Sequence, residues 1–233
     1  MATMVQTRSR VALSVRRSPV IGVVRTHSRE EAAAQARMLA ASGLELVEIT
    51  FTVPGASSLL RELLAARGSD GPPFFGLGTV TTAARAREAV EAGSEILVSP
   101  NVNAEVAKEA RRAGTFLVMG ALTPSEIVTA HELGADLVKV YPLPPVGGPA
   151  YLQVIRGPLG DIPMLAAGGF GVEEIPAYVR AGASAFNLAA PLLGVGSGQG
   201  EVRRRVARAL ALARGQDPAH PEEVHEEAHE ENR

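Results

Sequence analysis

The chain has 233 residues, 46% of them hydrophobic, a formal net charge of −2 and no cysteine. That content suits one large domain or two small ones with an ordinary core, and near-neutral charge argues against nucleic acid or an anionic membrane as the main partner. Absence of cysteine excludes disulfides, thiolate catalysis and cysteine-ligated metal, and no apolar run approaches the ~20 residues of a transmembrane helix.

Before Glu30 there is no acidic residue, while Arg8, Arg10, Arg16, Arg17 and Arg25 gather among Ser and Thr. An organellar transit peptide has such a composition; a short surface helix or arm over residues 1–17 is the plainer reading. From residue 18 to about 214, apolar runs alternate with helical patterns. PVIGVVR (19–25) reads as the first strand, and Ser28 with Glu31 predicts a capping box opening an Ala-rich helix to about Ser42. Further strands are expected at 44–51, 74–80, 95–100, 115–122, 137–142, 163–169 and 185–190. Helices are expected at 56–66, 82–92, 103–112, from Thr123-Pro124-Ser125-Glu126 with proline at the first helical position, near 150–155, and at 172–180 and 200–214.

Eight strand–helix units with near-continuous apolar strands predict an α/β fold, a (β/α)8 TIM barrel of a single domain over residues 18–214. An open doubly wound sheet fits less well, because no glycine-rich dinucleotide turn follows the first strand. Residues 215–233 are rich in Glu, His and Pro and read as a disordered acidic tail. Within it His225-Glu226-Glu227-Ala228-His229 matches H-E-x-x-H, but a solvated Glu-rich run supplies neither cleft nor third ligand, so no catalytic zinc is expected and adventitious metal binding is the plainer reading.

In a barrel, chemistry belongs at the C-terminal strand ends. Only two of the 23 basic residues are lysines: Lys108 on a solvated helix face, and Lys139 inside the apolar run DLVKVYP (136–142). Burial lowers an amine's pKa and frees it to attack a carbonyl, a task arginine cannot perform; the plainer alternative is a lysine snorkelling from a strand end. On the second strand Leu46, Glu48, Thr50 and Thr52 alternate onto one face, so Glu48 is expected inside the barrel as an acid/base, or as an interior carboxylate satisfied by Arg25. Gly76-Leu77-Gly78-Thr79 would let a ligand approach the backbone, and Gly168-Gly169 precede a helix N-terminus suited to phosphate.

In order and spacing these segments resemble the 2-keto-3-deoxy-6-phosphogluconate (KDPG) aldolases and their 6-phosphogalactonate relatives. The resemblance covers about residues 18–214. It rests on VEIT (47–50), GLGTV (76–80), VSPN (98–101), GALTPSE (120–126), VKVYP (138–142), VGGPAYL (146–152) and IRGPL (155–159). It implies a class I aldolase, a lyase of Entner–Doudoroff-type carbohydrate metabolism in the cytoplasm, homotrimeric, without metal or organic cofactor, acting on a small-molecule 2-keto acid. Lys139 would form the Schiff base, Glu48 would shuttle protons through a water, and Arg25 and Thr79 would hold the pyruvoyl carboxylate. Thr50 and Pro100, which lie in matched segments, and Gly168 and Gly169, at the end of the seventh strand before a helix N-terminus, complete the expected substrate-binding set. The chain departs from the family where Thr50-Phe51-Thr52 replaces Thr-Leu-Arg, where Ala166-Ala167 precedes the glycine pair, and where Asn187-Leu188-Ala189-Ala190 replaces a phosphate-binding Gly-x-Gly-Ser turn. An unphosphorylated substrate, a Schiff-base decarboxylase or aldol synthase, and a non-catalytic ligand-binding barrel are the rival expectations.

Overall fold

The computed structural model describes residues 2–68, 70–194 and 196–216. The tail from residue 217 onward, with its H-E-x-x-H segment, lies outside the described residues. Eight parallel strands close in chain order into one barrel. They are β1 (Val20–Val24), β2 (Leu46–Thr50), β3 (Phe74–Gly78), β4 (Ile96–Ser99), β5 (Phe116–Ala121), β6 (Leu137–Val140), β7 (Met164–Ala167) and β8 (Ala185–Leu188). The helices are α1 (Ala2–Arg17), α2 (Arg29–Ala41), α3 (Ala56–Arg67), α4 (Ala83–Glu91), α5 (Ala104–Ala113), α6 (Pro124–Glu132), α7 (Gly148–Arg156), α8 (Ile175–Arg180), α9 (Ala190–Leu193) and α10 (Gln199–Ala213).

Local chemistry explains the boundaries. Thr123 and Glu126 form a full capping box at α6, with Pro124 inside the first turn. At α2 only half of the expected box forms. Ser28 Oγ accepts from the Glu31 amide, whereas the Glu31 carboxylate accepts from Gln35 instead of returning to the cap. The short α9 was not anticipated; Pro191 lies in its first turn and Gly194 ends it.

Alternation sorts each strand into two faces. Val47, Ile49, Leu77, Leu97, Val138, Val140 and Phe186 pack outward against the helices. Ile21, Leu46, Phe74, Ile96, Val98, Phe116, Val118, Leu137 and Leu165 fill the lower barrel interior.

Helix α1 belongs to that lower layer. Its Val11 and Val15 are buried among the inward residues, so it closes the N-terminal mouth of the barrel instead of lying free on the surface. Its arginines meet carboxylates placed just before strands. Arg8 pairs with Asp136 at 2.8 Å, and Arg17 pairs with Glu45 at 2.6 Å. The basic, acid-free N-terminus therefore has a structural partner on the barrel rim.

The same rim holds a buried pair, Arg67 with Glu95 at 2.8 Å, whose carboxylate also accepts from the Phe75 amide. Burial pushes the Glu95 carboxyl above its ordinary 4.5 despite the guanidinium. Arg67→Ala leaves that charge unpaired and should cost about 3–5 kcal/mol in urea unfolding at pH 7. The loss should shrink as pH falls toward the ordinary carboxyl value, because the folded variant takes up the proton first. A loss below about 1 kcal/mol would contradict this account of the rim.

Candidate active site

Lys139 is the third residue of β6, paired in register with Gly120 on β5 and Leu165 on β7. Its side chain is 7% exposed, with Nζ 5.5 Å from the centroid of the Tyr141 ring. Burial is the largest influence on its amine and lowers the pKa from 10.5. The Glu48 carboxylate opposes that shift, and the Arg25 guanidinium adds to it.

Glu48 lies on the inward face of β2 and is 1% exposed. The bond to Arg25, the alternative to an acid/base role, does not form. Arg25 follows the end of β1 with its side chain exposed, near enough to act on Lys139 through charge but, among the described residues, with no hydrogen bond or ion pair of its own. Glu48 Oε2 instead accepts from Asn187 Nδ2 at 3.0 Å. Asn187 is therefore part of the site, although its sequence stretch stood out only as a departure. The signal that could have found it was parity: with Ala185 facing inward, residue 187 must face inward too.

The strand glycines serve the protein more than a ligand. A Cβ at Gly78 would lie 1.8 Å from Glu48 Oε1, so the bare backbone there makes room for the carboxylate. A Cβ at Gly76 would strike the Ile96 carbonyl at 2.0 Å, and one at Gly120 the Pro100 backbone at 2.2 Å. Pro100, expected as a substrate contact, thus packs its backbone against β5. Gly168, with φ of 134°, packs on Leu143 and Pro144, where a Cβ would come within 2.8 Å of the Leu143 nitrogen. Gly169 has no atom within 4 Å of its Cβ position, so of this pair it offers the open approach.

Thr79 follows β3 with φ of 61°, the one described non-glycine residue with positive φ. A β-branched residue there stores about 1–3 kcal/mol of strain, and such strain gathers at functional sites. Arg85, on the first turn of α4, donates to the Thr79 carbonyl at 3.2 Å and lies 5.5 Å from the Phe51 ring centroid. It was not singled out in the sequence. Thr50 is buried, its hydroxyl engaged with the Val24 carbonyl at 3.3 Å and Thr52 Oγ1 at 2.7 Å. It supports the β2 terminus, and among the described residues its hydroxyl bonds go to Val24 and Thr52, not to Lys139 or Glu48.

The arrangement is a desolvated amine and a held carboxylate inside one barrel, with Arg25 and Thr79 following β1 and β3 at its C-terminal end. Among the described residues no group of three or more His, Asp or Glu could hold a metal ion. The family model described as "KDPG and KHG aldolase" matches residues 11–196. The chain belongs to this family. It is 30% identical over 203 residues to the probable 2-dehydro-3-deoxy-6-phosphogalactonate aldolase of Rhizobium meliloti, covering 87% of this chain and 94% of that one. Identity to the 2-dehydro-3-deoxy-6-phosphogalactonate aldolase of Escherichia coli is 27% over 197 residues, with 84% and 93% covered. Among solved structures, the 2-keto-3-deoxy-6-phosphogluconate aldolase of Zymomonas mobilis, determined with 3-phosphoglycerate, superimposes with a TM-score of 0.77 at 25% identity, covering 89% of this chain and 98% of that chain. As an aldolase of this family the protein is a lyase, and its closed barrel is the family's TIM barrel.

Proposed function

We propose that this KDPG/KHG-family aldolase cleaves a 2-keto-3-deoxy sugar acid, KDPG-like in its pyruvoyl half, to pyruvate and an aldehyde, with Lys139 as Schiff-base nucleophile and Glu48 as proton shuttle. The observation that carries this reading is a buried amine whose pKa burial lowers, opposite a buried carboxylate in the same barrel mouth. The neutral Lys139 amine adds to C2 of the keto acid, and loss of water gives an iminium. Glu48, through a water, removes the proton from the C4 hydroxyl. The C3–C4 bond breaks, its electron pair moves into the iminium to leave an enamine, and the aldehyde departs. Protonation at C3 and hydrolysis release pyruvate and restore the amine. Arg25, without an ion pair among the described residues, suits the pyruvoyl carboxylate, and Thr79 follows β3 at the same end of the barrel; Gly169 offers backbone to the distal end.

The distal end favours a second substrate form. β8 ends at Leu188, and Ala189 leads into the four-residue α9 that begins at Ala190, so residues 187–190 carry no hydroxyl where the phosphate turn is expected. Pyruvate release should be measured with phosphorylated and unphosphorylated 2-keto-3-deoxygluconate and 2-keto-3-deoxygalactonate. A missing phosphate donor is worth about 1–3 kcal/mol to an anion, so phosphorylated substrates should gain no more than about tenfold in kcat/KM over their unphosphorylated counterparts. A preference above about 10³-fold would restore a phosphate-selective reading.

A homotrimer, a cytoplasmic setting and Entner–Doudoroff-type metabolism belong to the same proposal. Exposed Tyr141, Val146 and Val154, all in the segment following β6, support an assembly face there. No described helix is long and apolar enough to cross a membrane. Residues 18–214 are taken as the catalytic barrel, with 1–17 as its N-terminal closure and 215–233 as an acidic tail.

A further inference from the structure

Asn187 is the only polar residue of β8, and it is 9% exposed. In register, Ile21 of β1 faces Asn187 on one side, and Val23 faces Glu48 on the other. The amide therefore reaches across β1 to donate to Glu48 Oε2 at 3.0 Å. The other carboxylate oxygen lies over the bare backbone of Gly78. An ionised carboxylate only accepts, so the amide must present its N–H to it. Held at one oxygen by a donor and seated at the other where no Cβ stands, the carboxylate has one orientation.

We propose that Asn187 is a positioning residue that fixes the Glu48 carboxylate for proton transfer, while imine formation at Lys139 proceeds without it. This rests on the reading of Glu48 as the proton shuttle. A misplacement of about 1 Å in a catalytic group costs up to about 10²-fold in rate. Neighbours that lock a reactive side chain carry that precision. The alternative is that Asn187 only fills the volume at the end of β8, and in that case any side chain of its size would serve.

The full chain and its Asn187→Leu and Asn187→Asp variants, both close to asparagine in size, separate the two. Two rates are read with pyruvate: borohydride trapping at Lys139, and exchange of the pyruvate methyl protons with deuterated solvent. Exchange should fall at least about tenfold in both variants, with trapping kept within about twofold of the parent protein. Asn187→Asp keeps polarity and size, so it reports even if the leucine variant does not fold. Exchange within about twofold of the parent in either folded variant overturns the proposal, as does a parallel fall of trapping and exchange. If the parent protein neither traps nor exchanges, the aldolase reading of the site fails first. The parent thus tests that reading, and the ratio of variant to parent tests Asn187.

Discussion

Lys139→Ala should lower kcat for aldol cleavage by about 10⁴-fold or more while the protein remains folded, as judged by circular dichroism and the unfolding midpoint. The size follows from its place in the scheme. Without the amine there is no iminium, and the electrons of the C3–C4 bond have no acceptor. Lys139→Arg should be equally inactive, because guanidinium is never neutral at a working pH. In the unmodified protein the rate of imine formation should rise with pH and level off below the ordinary amine value of 10.5, since burial lowers the pKa of the folded group. The same shift has a sign in stability. Between the lowered value and 10.5 the unfolded chain binds the extra proton, so Lys139 makes stability rise with pH across that window. A variant that turns over at more than a hundredth of the parent rate would contradict the assignment of Lys139 as nucleophile.

Glu48→Gln should reduce kcat by about 10²–10⁴-fold, the range expected for loss of a general acid/base. Glutamine keeps the size of the side chain and an oxygen for the Asn187 amide, so trapping of pyruvate at Lys139 should survive. Gly78→Ala should give the same kinetic signature by another route. Its methyl would occupy the place of Glu48 Oε1, 1.8 Å away, and the carboxylate must leave its seat. The alanine variant should also lose stability, whereas the glutamine variant removes a buried charge and should not. Equal loss of trapping and turnover in Glu48→Gln would show that Glu48 serves the barrel's integrity and not its chemistry.

The fold was legible because the period of the apolar pattern is a direct consequence of burial on both faces of a parallel sheet. Strand positions agree with the structure to within a few residues, and Leu46, Glu48 and Thr50 do share the inward face. Lys139 stood out through composition, as one of two amines in a chain whose other basic residues are arginines, and the one of the two set in an apolar run. Three things were not legible. Asn187 bonds Glu48 over a separation of 139 residues, and such a contact depends on barrel closure, which no local window contains. The glycines of β3 looked like room for a ligand, but the space belongs to the Glu48 carboxylate and the Ile96 carbonyl. The strain at Thr79 is a backbone property set by the turn after β3 and held by Arg85, and the letters Gly-Thr-Val do not reveal it. The N-terminal arginines lie between these cases. Their charge was plain in the sequence, while their partners Asp136 and Glu45 became visible only when α1 closed the lower mouth.

The central claim is a covalent imine between one lysine and a 2-keto acid. Borohydride reduction of the protein with pyruvate, followed by peptide mass spectrometry, reads it directly. A single reduced adduct on the peptide bearing Lys139, with Lys108 unmodified, is the predicted result. Folded protein that yields no adduct at Lys139, or an adduct at Lys108 to the same extent, would contradict it.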